Sequence, residues 1–359
     1  MSLRKFAGCL VAVAISLGTS NAALAERFKF VALGDTAYNP GVDYPVYDAL
    51  ITRINASNPA FTIHVGDTWG AMPCSEAQHK SILDWFAKYD HPVFYTPGDN
   101  EWVDCRKAEV LEAYSRYVTG KATPQDFALL LPLRGLDAGM ASGGYDDPLG
   151  SLSLIRKMYF GKPQSLGART LPMVRQPDVS TFKDTYENAR WEKDGVVFAT
   201  ISVPGSGNGF TIVDPVRATE AINRNRANVD WIKSTFAQAK ASKAKAVVIS
   251  LQAGMFLDEK GDEFSGKLLR GGNEGPFYWV ALAIRDLGAQ FGKPVLLING
   301  DFHEFVVDRP FMVSQGEAKP PLYGNITRLQ VYGAPELRAT TVGVDTDTPW
   351  VFSFEPLYN

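Results

Sequence analysis

Short apolar segments alternate with longer amphipathic segments through most of the chain after residue 25. A short run of apolar residues favours a strand, whereas apolar residues three or four positions apart favour a helix. Strands that alternate with helices predict a parallel sheet joined by right-handed crossovers. The predicted strands are Phe28–Leu33, Phe61–Val65 and Val93–Thr96, and each is followed by a predicted helix, Tyr44–Asn55, Ser75–Tyr89 and Lys107–Val118.

The alternation is lost between residues 120 and 190 and then returns. The 120–190 segment is rich in Gly, Pro and Ser, and we predict that it is an irregular insertion or a covering lobe. The remainder, residues 26–359, is predicted to be one α/β domain. After the insertion we predict strands at Val196–Val203, Ala246–Leu251 and Val295–Ile298, helices at Val216–Ala241 and Tyr278–Phe291, and antiparallel strands at Glu304–Val307, Arg328–Tyr332, Thr340–Val344 and Trp350–Phe354.

Residues 1–25 have the layout of a secretory signal peptide. Arg4 and Lys5 are basic, residues 6–17 are apolar, and Ala23-Leu24-Ala25 places small residues at positions −3 and −1 of a cleavage site after Ala25. A membrane anchor is the alternative, but the apolar run is too short to span a bilayer. We therefore predict a periplasmic or secreted protein that is not stably inserted in a membrane after cleavage.

The composition narrows the class of partner. The chain is 45% hydrophobic and 12% aromatic, which is typical of a globular protein with a large core. Its formal net charge of −3 does not favour a nucleic-acid partner. Cys74 and Cys105 are the two cysteines after the predicted cleavage site, and in an oxidising compartment such a pair is more often bridged than free. Two buried thiols are the alternative.

Four of the predicted strands run directly into the dipeptide Gly-Asp. Ligands of α/β folds lie beyond the carboxyl ends of the strands, where glycine permits a sharp turn and leaves space. A single Gly-Asp is usually an ordinary turn, but four that each close an apolar run are not explained in that way. Carboxylates that meet in one crevice repel one another unless cations bind them, so divalent metal ions are the expected partners. The four dipeptides are Gly34-Asp35, Gly66-Asp67, Gly98-Asp99 and Gly300-Asp301.

These motifs resemble those of the calcineurin-like metallophosphoesterases. The family reads Asp-x-His, Gly-Asp-x-x, Gly-Asn-His-Asp/Glu, a lone His, and Gly-His-x-His. The resemblance extends from about residue 27 to residue 354 outside the insertion, and the run from Pro97 to Trp102 with Cys105 resembles a divergent exported branch. The corresponding motifs here are Gly34-Asp35-Thr36, Gly66-Asp67-Thr68-Trp69, Gly98-Asp99-Asn100-Glu101 and Gly300-Asp301-Phe302-His303.

The resemblance implies two mixed sheets packed face to face with helices outside, and two divalent metal ions that hydrolyse a small phosphoester. Because most of the implied ligands are oxygen atoms, Mn²⁺ or Mg²⁺ is expected, and Ca²⁺ is also compatible. The implied ligands are Asp35 for the first metal, Asp67 as the bridge, Asp99 for the second, His303 for the first, Asp301 in place of a family histidine, and Gln252 near the position of the lone His.

The chain departs from the family at two important positions. Ala37 stands where the family has a metal-binding His, and Asn100 replaces the His that contacts the phosphoryl group. Asn100 can donate a hydrogen bond but cannot deliver a proton, so we predict a catalytic role of stabilising charge. Glu101 either orients Asn100 or is a solvated loop carboxylate. Asn208 either lines the cleft or belongs to a Gly-rich turn.

Three histidines do not fall on motif positions. His64 is predicted to lie on the alternate face of a strand, and His79 and His91 are predicted to lie on the surface. The departures leave two functions open. One is a metal-dependent hydrolase of phosphoesters, and the other is a catalytically impaired protein of the same fold that binds a metal or another ligand.

Overall fold

The computed structural model describes residues 28–105, 107–130, 147–211, 214–256, 275–313 and 322–358. The predicted signal peptide lies outside these residues, as do Arg106 and residues 131–146 of the predicted insertion. No helix in the described ranges is long and apolar enough to cross a membrane.

The strands in the described ranges form two mixed sheets. In chain order they are β1 (Phe28–Leu33), β2 (Thr62–His64), β3 (Val93–Tyr95), β4 (Val174–Arg175), β5 (Ala189–Lys193), β6 (Val196–Thr200), β7 (Ala246–Ser250), β8 (Val295–Asn299), β9 (Val306–Asp308), β10 (Ile326–Gln330), β11 (Ala339–Asp345) and β12 (Val351–Leu357). The first sheet has the order β12-β11-β1-β2-β3, and the second has the order β4-β5-β6-β7-β8-β10-β9. Strands β1 to β3 run parallel, as predicted from their alternation with helices.

The helices in the described ranges are α1 (Asp43–Ala56), α2 (Glu76–Phe86), α3 (Lys107–Val118), α4 (Pro124–Leu130), α5 (Pro148–Tyr159), α6 (Gln176–Val179), α7 (Gly205–Asn208), α8 (Pro215–Ala241) and α9 (Tyr278–Phe291). Five of them, α1, α2, α3, α8 and α9, begin and end close to the predicted positions, and α4 to α7 were not predicted. Side-chain caps fix two of the starts. Ser75 accepts a hydrogen bond from the Gln78 amide before α2, and Asp214 accepts from the first amides of α8.

Alternation of side chains along the strands divides the interior into two cores. Phe198 of β6 lies between the sheets, where its ring contacts Phe30 and Phe61 of the first sheet. The preceding residue, Val197, belongs to a second core with Trp231 of α8, and α9 also contributes to that core. Residues of α1 and α2 pack in the first core. The predicted architecture of two packed mixed sheets with helices outside is therefore confirmed.

Two sequence-based predictions of the fold are corrected. The tail is not wholly antiparallel, because β10 pairs parallel to β8 although it is antiparallel to β9. The 120–190 segment is also regular in much of its described part. Helix α5 places Ile155 and Tyr159 in the first core, and β4 pairs with β5 in the second sheet. The Gly and Pro content that suggested irregularity lies partly in short turns between these elements.

A disulfide joins Cys74 to Cys105, with the two Cα atoms 5.4 Å apart, so the predicted bridge is confirmed. Its cysteines follow the loops at the ends of β2 and β3, and the bridge therefore ties these loops together. The Cys74→Ser/Cys105→Ser double variant should lower the free energy of unfolding by about 3–4 kcal/mol, because the bridge closes a loop with a sequence separation of 31 residues. Urea unfolding of both proteins without reductant measures this difference, and a loss below about 1 kcal/mol would contradict the prediction.

Candidate functional site

The predicted aspartates meet beyond the carboxyl ends of strands from both sheets. The backbone amide of Asp301, after β8, donates to Asp35 Oδ1, after β1, over 2.9 Å. The side-chain nitrogen of Gln252, after β7, lies 3.3 Å from Asp67 Oδ2 and 3.4 Å from both Asp99 Oδ1 and Asp301 Oδ1. The structure therefore brings together the four strand-end aspartates that the sequence singles out.

The backbone at this edge is strained. Asp35, Asp67 and Asp301 have φ values of 50°, 53° and 79°, and His303 has a φ of 62°. Residues with side chains rarely adopt this left-handed conformation, and it persists only where the surrounding structure enforces it. Strain of this kind concentrates at functional sites. Its coincidence with the aspartate cluster therefore favours a functional role for the cluster.

Two glycines of the Gly-Asp dipeptides make room for a neighbouring carboxylate. A Cβ atom on Gly98 would overlap the Asp67 carboxylate, and one on Gly300 would overlap the Asp35 carboxylate. Each of these glycines thus allows a carboxylate from an adjacent loop to pack against the backbone. Glycine is therefore required at these two positions for the packing of neighbouring loops as well as for the turn.

Glu101 is buried and accepts hydrogen bonds from the loops that follow β2 and β3. It is 0% exposed, and its Oε1 accepts from the Thr68 amide at 2.7 Å and the Thr68 hydroxyl at 2.8 Å. Its Oε2 accepts from the amides of Gly98 at 2.9 Å and Asp67 at 3.1 Å. Of the two alternatives for Glu101, the solvated loop carboxylate is therefore wrong. The described contacts make Glu101 a positioning residue for the β2 and β3 loops.

Asn100 holds Asp67. Its amide nitrogen Nδ2 donates to Asp67 Oδ2 and its backbone amide donates to Asp67 Oδ1, each over 3.1 Å. The side chain is largely buried, with 8% exposure. In this arrangement Asn100 orients the central carboxylate of the cluster, and its predicted contact with a substrate stays a prediction.

Gln252 faces the carboxylates with its nitrogen. Its Oε1 accepts a hydrogen bond from the backbone amide of Gly205, which leaves Nε2 directed at Asp67, Asp99 and Asp301. An amide nitrogen has no lone pair for a metal ion. The predicted role of Gln252 as a ligand therefore requires its amide group to rotate by half a turn, which would break the bond to Gly205.

His303 directs Nε2 into the cluster. Its Nδ1 lies 2.7 Å from the Ala334 carbonyl oxygen, which can only accept, so Nδ1 donates to that oxygen. Nε2 lies 3.7 Å from Asp35 Oδ1. Fixing a histidine tautomer through a backbone carbonyl is common where the other nitrogen binds a metal.

Tyr38 is a site residue that the sequence analysis missed. Its hydroxyl lies 3.0 Å from Asp67 Oδ2 and 3.2 Å from His303 Nε2. Tyr38 directly follows Ala37, which is fully buried and occupies the position of a family histidine. The hydroxyl thus lies between two of the predicted ligands of the first metal. The sequence signal that could have identified Tyr38 was its position directly after Ala37, where the first motif departs from the family.

The loop after β6 forms one wall of the site. A Cβ atom on Gly205 would overlap the Asp301 carboxylate. Asn208, at the other end of α7, accepts hydrogen bonds from the buried Arg224 guanidinium through its side-chain and backbone oxygens. The Arg224 guanidinium also donates to the Ser202 carbonyl over 3.1 Å. A buried cation of α8 therefore anchors the loop that orients Gln252.

The cluster is strongly acidic and largely buried. Asp35 is 0% exposed and its Oδ2 has no hydrogen-bond partner among the described residues. Burial raises the pKa of the Asp35 carboxyl well above its usual range, and the charges of Asp301 and Asp99 also raise it, against the hydrogen bond from Asp301. Burial likewise raises the pKa of Asp67, and the charges of Asp99 and Glu101 raise it further. Such a cluster needs either protons or a cation.

The chemistry of these donors fits a hard divalent cation. Carboxylate oxygens are the preferred ligands of Mg²⁺, Mn²⁺ and Ca²⁺, and Asp35 Oδ2, which has no hydrogen-bond partner among the described residues, adds a free donor position. Within the described ranges, no group of three or more His, Cys, Asp or Glu side chains is arranged as a formed metal site. The Tyr38 hydroxyl lies between Asp67 and His303, and Gln252 Nε2 lies between three of the carboxylates, so cation binding would have to displace both groups.

The other three histidines lie in the interior. His64, on β2, accepts a hydrogen bond from the Gly66 amide. His79 and His91 are 0% and 1% exposed, so the prediction that they lie on the surface is wrong. His79 pairs with the hydroxyls of Tyr159 and Ser151, and His91 pairs with the Thr62 hydroxyl. None of these described contacts joins them to the aspartate cluster.

His64 predicts a pH dependence of stability. Burial lowers its pKa to about 3, whereas the unfolded chain takes up the proton near pH 6.5. Its contribution to stability is therefore complete above about pH 6.5 and is lost as the pH falls toward 3. From pH 7.5 to pH 5, wild type should lose about 2 kcal/mol more than His64→Gln in urea unfolding. The aspartates have the opposite effect on stability, but they affect wild type and His64→Gln equally, so the difference between the two proteins reports His64. Equal losses of stability in both proteins would contradict the lowered pKa of His64.

Comparison with known proteins gives only distant similarity. No family model and no curated protein matches the chain. Among solved structures, PhoD matches 89% of this chain with a TM-score of 0.48 and 9% sequence identity. The match spans 64% of the length of the PhoD chain. GAP50, described as the anchor in the inner membrane complex of Plasmodium, matches with a TM-score of 0.38 and 11% identity over 92% of this chain and 89% of its own. Similarity at this level supports no inference about activity.

Proposed function

We propose that the chain hydrolyses phosphoesters with divalent cations held by the strand-end aspartates. The observation that carries the proposal is the convergence of Asp35, Asp67, Asp99 and Asp301 on a strained edge of the fold. A cluster of this charge, with the unpartnered Asp35 Oδ2, is stabilised best by a hard cation. Divalent cations so placed would supply polarisation of a phosphoryl oxygen and activation of water.

The chain's own residues have distinct roles in this proposal. Asp35, Asp67 and His303 would hold one cation, and Asp67, Asp99 and Asp301 would hold a second. Asn100 orients Asp67 through two hydrogen bonds, and Glu101 positions the backbone of both loops. Because Asn100 orients a ligand that both cations would share, Asn100→Ala should lower cation affinity by about 10–100-fold as well as turnover.

The charge of the site predicts weak binding of free phosphate. The four aspartates would neutralise two divalent cations, whereas a site with two carboxylates would keep a charge of about +2. A near-neutral site attracts a phosphate dianion less strongly. A small-molecule phosphoester is the proposed substrate, and export to the periplasm or the exterior is consistent with the Cys74–Cys105 bridge.

A specific observation favours a second candidate, a ligand-binding protein without turnover. Tyr38 and Gln252 place hydrogen-bond donors against Asp67, and Ala37 supplies no ligand. If these donors are never displaced, the cluster persists in a protonated, cation-free form and the cleft can only bind.

Turnover of an aryl phosphomonoester and an aryl phosphodiester separates the two candidates. After treatment with a chelator, the protein should be inactive, and Mn²⁺ or Mg²⁺ should restore turnover that free phosphate inhibits only weakly. Asp84→Asn, a change at a surface carboxylate on α2, serves as the control for nonspecific cation effects. Cation-independent turnover, or none with any hard cation, would contradict the hydrolase proposal.

A further inference from the structure

Phe302 lies between two residues of the aspartate cluster. Its neighbours along the chain are Asp301, whose amide donates to Asp35, and His303, whose Nε2 faces Asp35. Both neighbours have a left-handed backbone, with φ values of 79° and 62°. Such a conformation persists only where the surrounding structure enforces it, so the backbone on either side of Phe302 is fixed.

The Phe302 ring packs against the backbone of Gly254, in the loop after β7. A Cβ atom on Gly254 would overlap the ring. The Gly254 amide also donates to Asp301 Oδ2 over 2.8 Å. One glycine therefore adjoins both the ring and the carboxylate, and the nearest ring carbon lies at most about 8 Å from Asp301 Oδ2.

The exposed side of the aspartate cluster is the side on which Phe302 lies. Asp35, Asp67 and Asp99 are at most 6% exposed. Asp301 is partly exposed, the His303 side chain is 31% exposed, and Phe302 is 38% exposed. A phosphoester that approaches the cluster from its exposed side therefore meets the Phe302 ring.

The exposure of Phe302 contrasts with the packing of the next aromatic residue of the loop. Phe305 stacks on Tyr332 with the ring centroids 4.6 Å apart, and it packs against the first core. Among the described residues no aromatic ring stacks on Phe302. An isolated exposed aromatic residue is ordinary, but this one is fixed beside the carboxylates proposed to hold the phosphoryl end of a substrate through cations.

We infer that Phe302 is a specificity-determining residue that packs against an aromatic ring in the alcohol part of the substrate. This inference rests on the proposed hydrolase function, and it names the substrate class as phosphoesters of alcohols that carry an aromatic ring. Aromatic rings attract one another in offset or edge-on contacts with their centroids about 4.5–7 Å apart. Because Gly254 already fixes the Phe302 ring, binding would cost little further conformational entropy at this residue.

Steady-state kinetics with 2-phenylethyl phosphate and ethyl phosphate test the inference, because the two leaving alcohols are similar in acidity and differ in the ring. Wild type should have a kcat/KM about tenfold higher for 2-phenylethyl phosphate. Phe302→Ala should raise KM for that ester about tenfold and leave its kcat within about threefold, because the ring contact is present in the bound substrate and in the transition state alike. Both constants for ethyl phosphate should stay within about threefold of wild type.

Two variants serve as controls. Phe302→Tyr keeps the ring and should keep the preference for 2-phenylethyl phosphate. Phe127→Ala removes a ring that is 46% exposed on α4, and it should also keep the preference. A wild type without the preference, a preference that Phe302→Ala leaves unchanged, or a fall in kcat that is equal for the two esters would overturn the inference.

Ligand binding distinguishes failure of this inference from failure of the hydrolase. If wild type hydrolyses neither ester with any hard cation, the proposed function fails. The contact of Phe302 with an aromatic ligand is then supported if, in an NMR titration with Mg²⁺ present, 2-phenylethyl phosphate binds wild type and Phe127→Ala more tightly than Phe302→Ala, while ethyl phosphate binds all three alike. Equal binding of 2-phenylethyl phosphate to the three proteins would overturn it.

Discussion

Asp67→Asn should abolish cation-dependent turnover. We expect turnover to fall by roughly 10³-fold, the upper range for the loss of one electrostatic contact to a transition state. Cation affinity should fall by at least about 100-fold, since changes to residues that merely support a ligand already cost 10–100-fold. Measuring turnover with saturating Mn²⁺ and cation affinity by calorimetry separates the two effects.

The position of Asp67 explains the size of this effect. Its two carboxylate oxygens accept hydrogen bonds from the backbone and side chain of Asn100, and Oδ2 also contacts the Tyr38 hydroxyl and Gln252 Nε2. The Asp67 carboxylate therefore lies at the centre of the cluster, next to both proposed cation positions. Asparagine keeps the shape but removes the charge, and its amide nitrogen would face at least one of these donors.

The same substitution should stabilise the cation-free protein. Burial and the charges of Asp99 and Glu101 raise the pKa of Asp67, so removing its charge relieves repulsion in the absence of a cation. An asparagine Nδ2 in the place of Oδ1 would face only one donor, the Asn100 amide, so this relief should exceed the cost of the lost hydrogen bond. Thermal unfolding with a chelator should show Asp67→Asn unfolding above wild type, and Asp84→Asn, on the exposed face of α2, should match wild type. Full activity of Asp67→Asn with wild-type cation content would show that the strand-end cluster is not the site.

Glu101→Gln should cause a large loss of stability, of about 2–4 kcal/mol, although it removes a negative charge from an acidic cluster. Each oxygen of Glu101 accepts two hydrogen bonds, from Thr68 in one case and from the Asp67 and Gly98 amides in the other. An amide nitrogen in either place would face two donors, so buried N–H groups lose their partner. This cost should exceed the relief of repulsion.

Urea unfolding of Glu101→Gln measures this loss, and Glu112→Gln is the matched control. The Glu112 side chain is 76% exposed on α3, where it pairs with Arg116, and its replacement should change stability by less than about 0.5 kcal/mol. If Glu101→Gln is as stable as wild type, the proposed positioning role of Glu101 is wrong.

The sheets and the aspartates were predictable because both follow from local pattern. Buried parallel strands give continuous apolar runs, and the ends of such strands lie at one edge. The local pattern is therefore sufficient to place Asp35, Asp67 and Asp99 together, whereas Asp301 follows β8 of the second sheet and joins them through the packing of the two sheets. The parallel pairing of β10 with β8 was not predictable, because alternation along a strand reports its two faces and not its direction relative to a neighbour.

The contacts that tune the site were not predictable from local pattern. The backbone at Asp35 and Ala37 is left-handed, and this turn brings the Tyr38 hydroxyl to Asp67 and His303. Glu101 and His79 are polar residues that are ordinarily exposed, and each is buried here because its partners come from other segments of the chain. Such long-range pairing leaves no periodic signal in the sequence.

Titration of the chelator-treated protein with Mn²⁺ in a calorimeter, followed by competition with Mg²⁺ and Ca²⁺, tests the central claim most directly. The strand-end carboxylates should give saturable Mn²⁺ binding that Mg²⁺ and Ca²⁺ displace, and elemental analysis of the protein as purified should find little zinc or iron. Absence of Mn²⁺ binding would contradict the claim, and so would stoichiometric zinc or iron that resists the chelator.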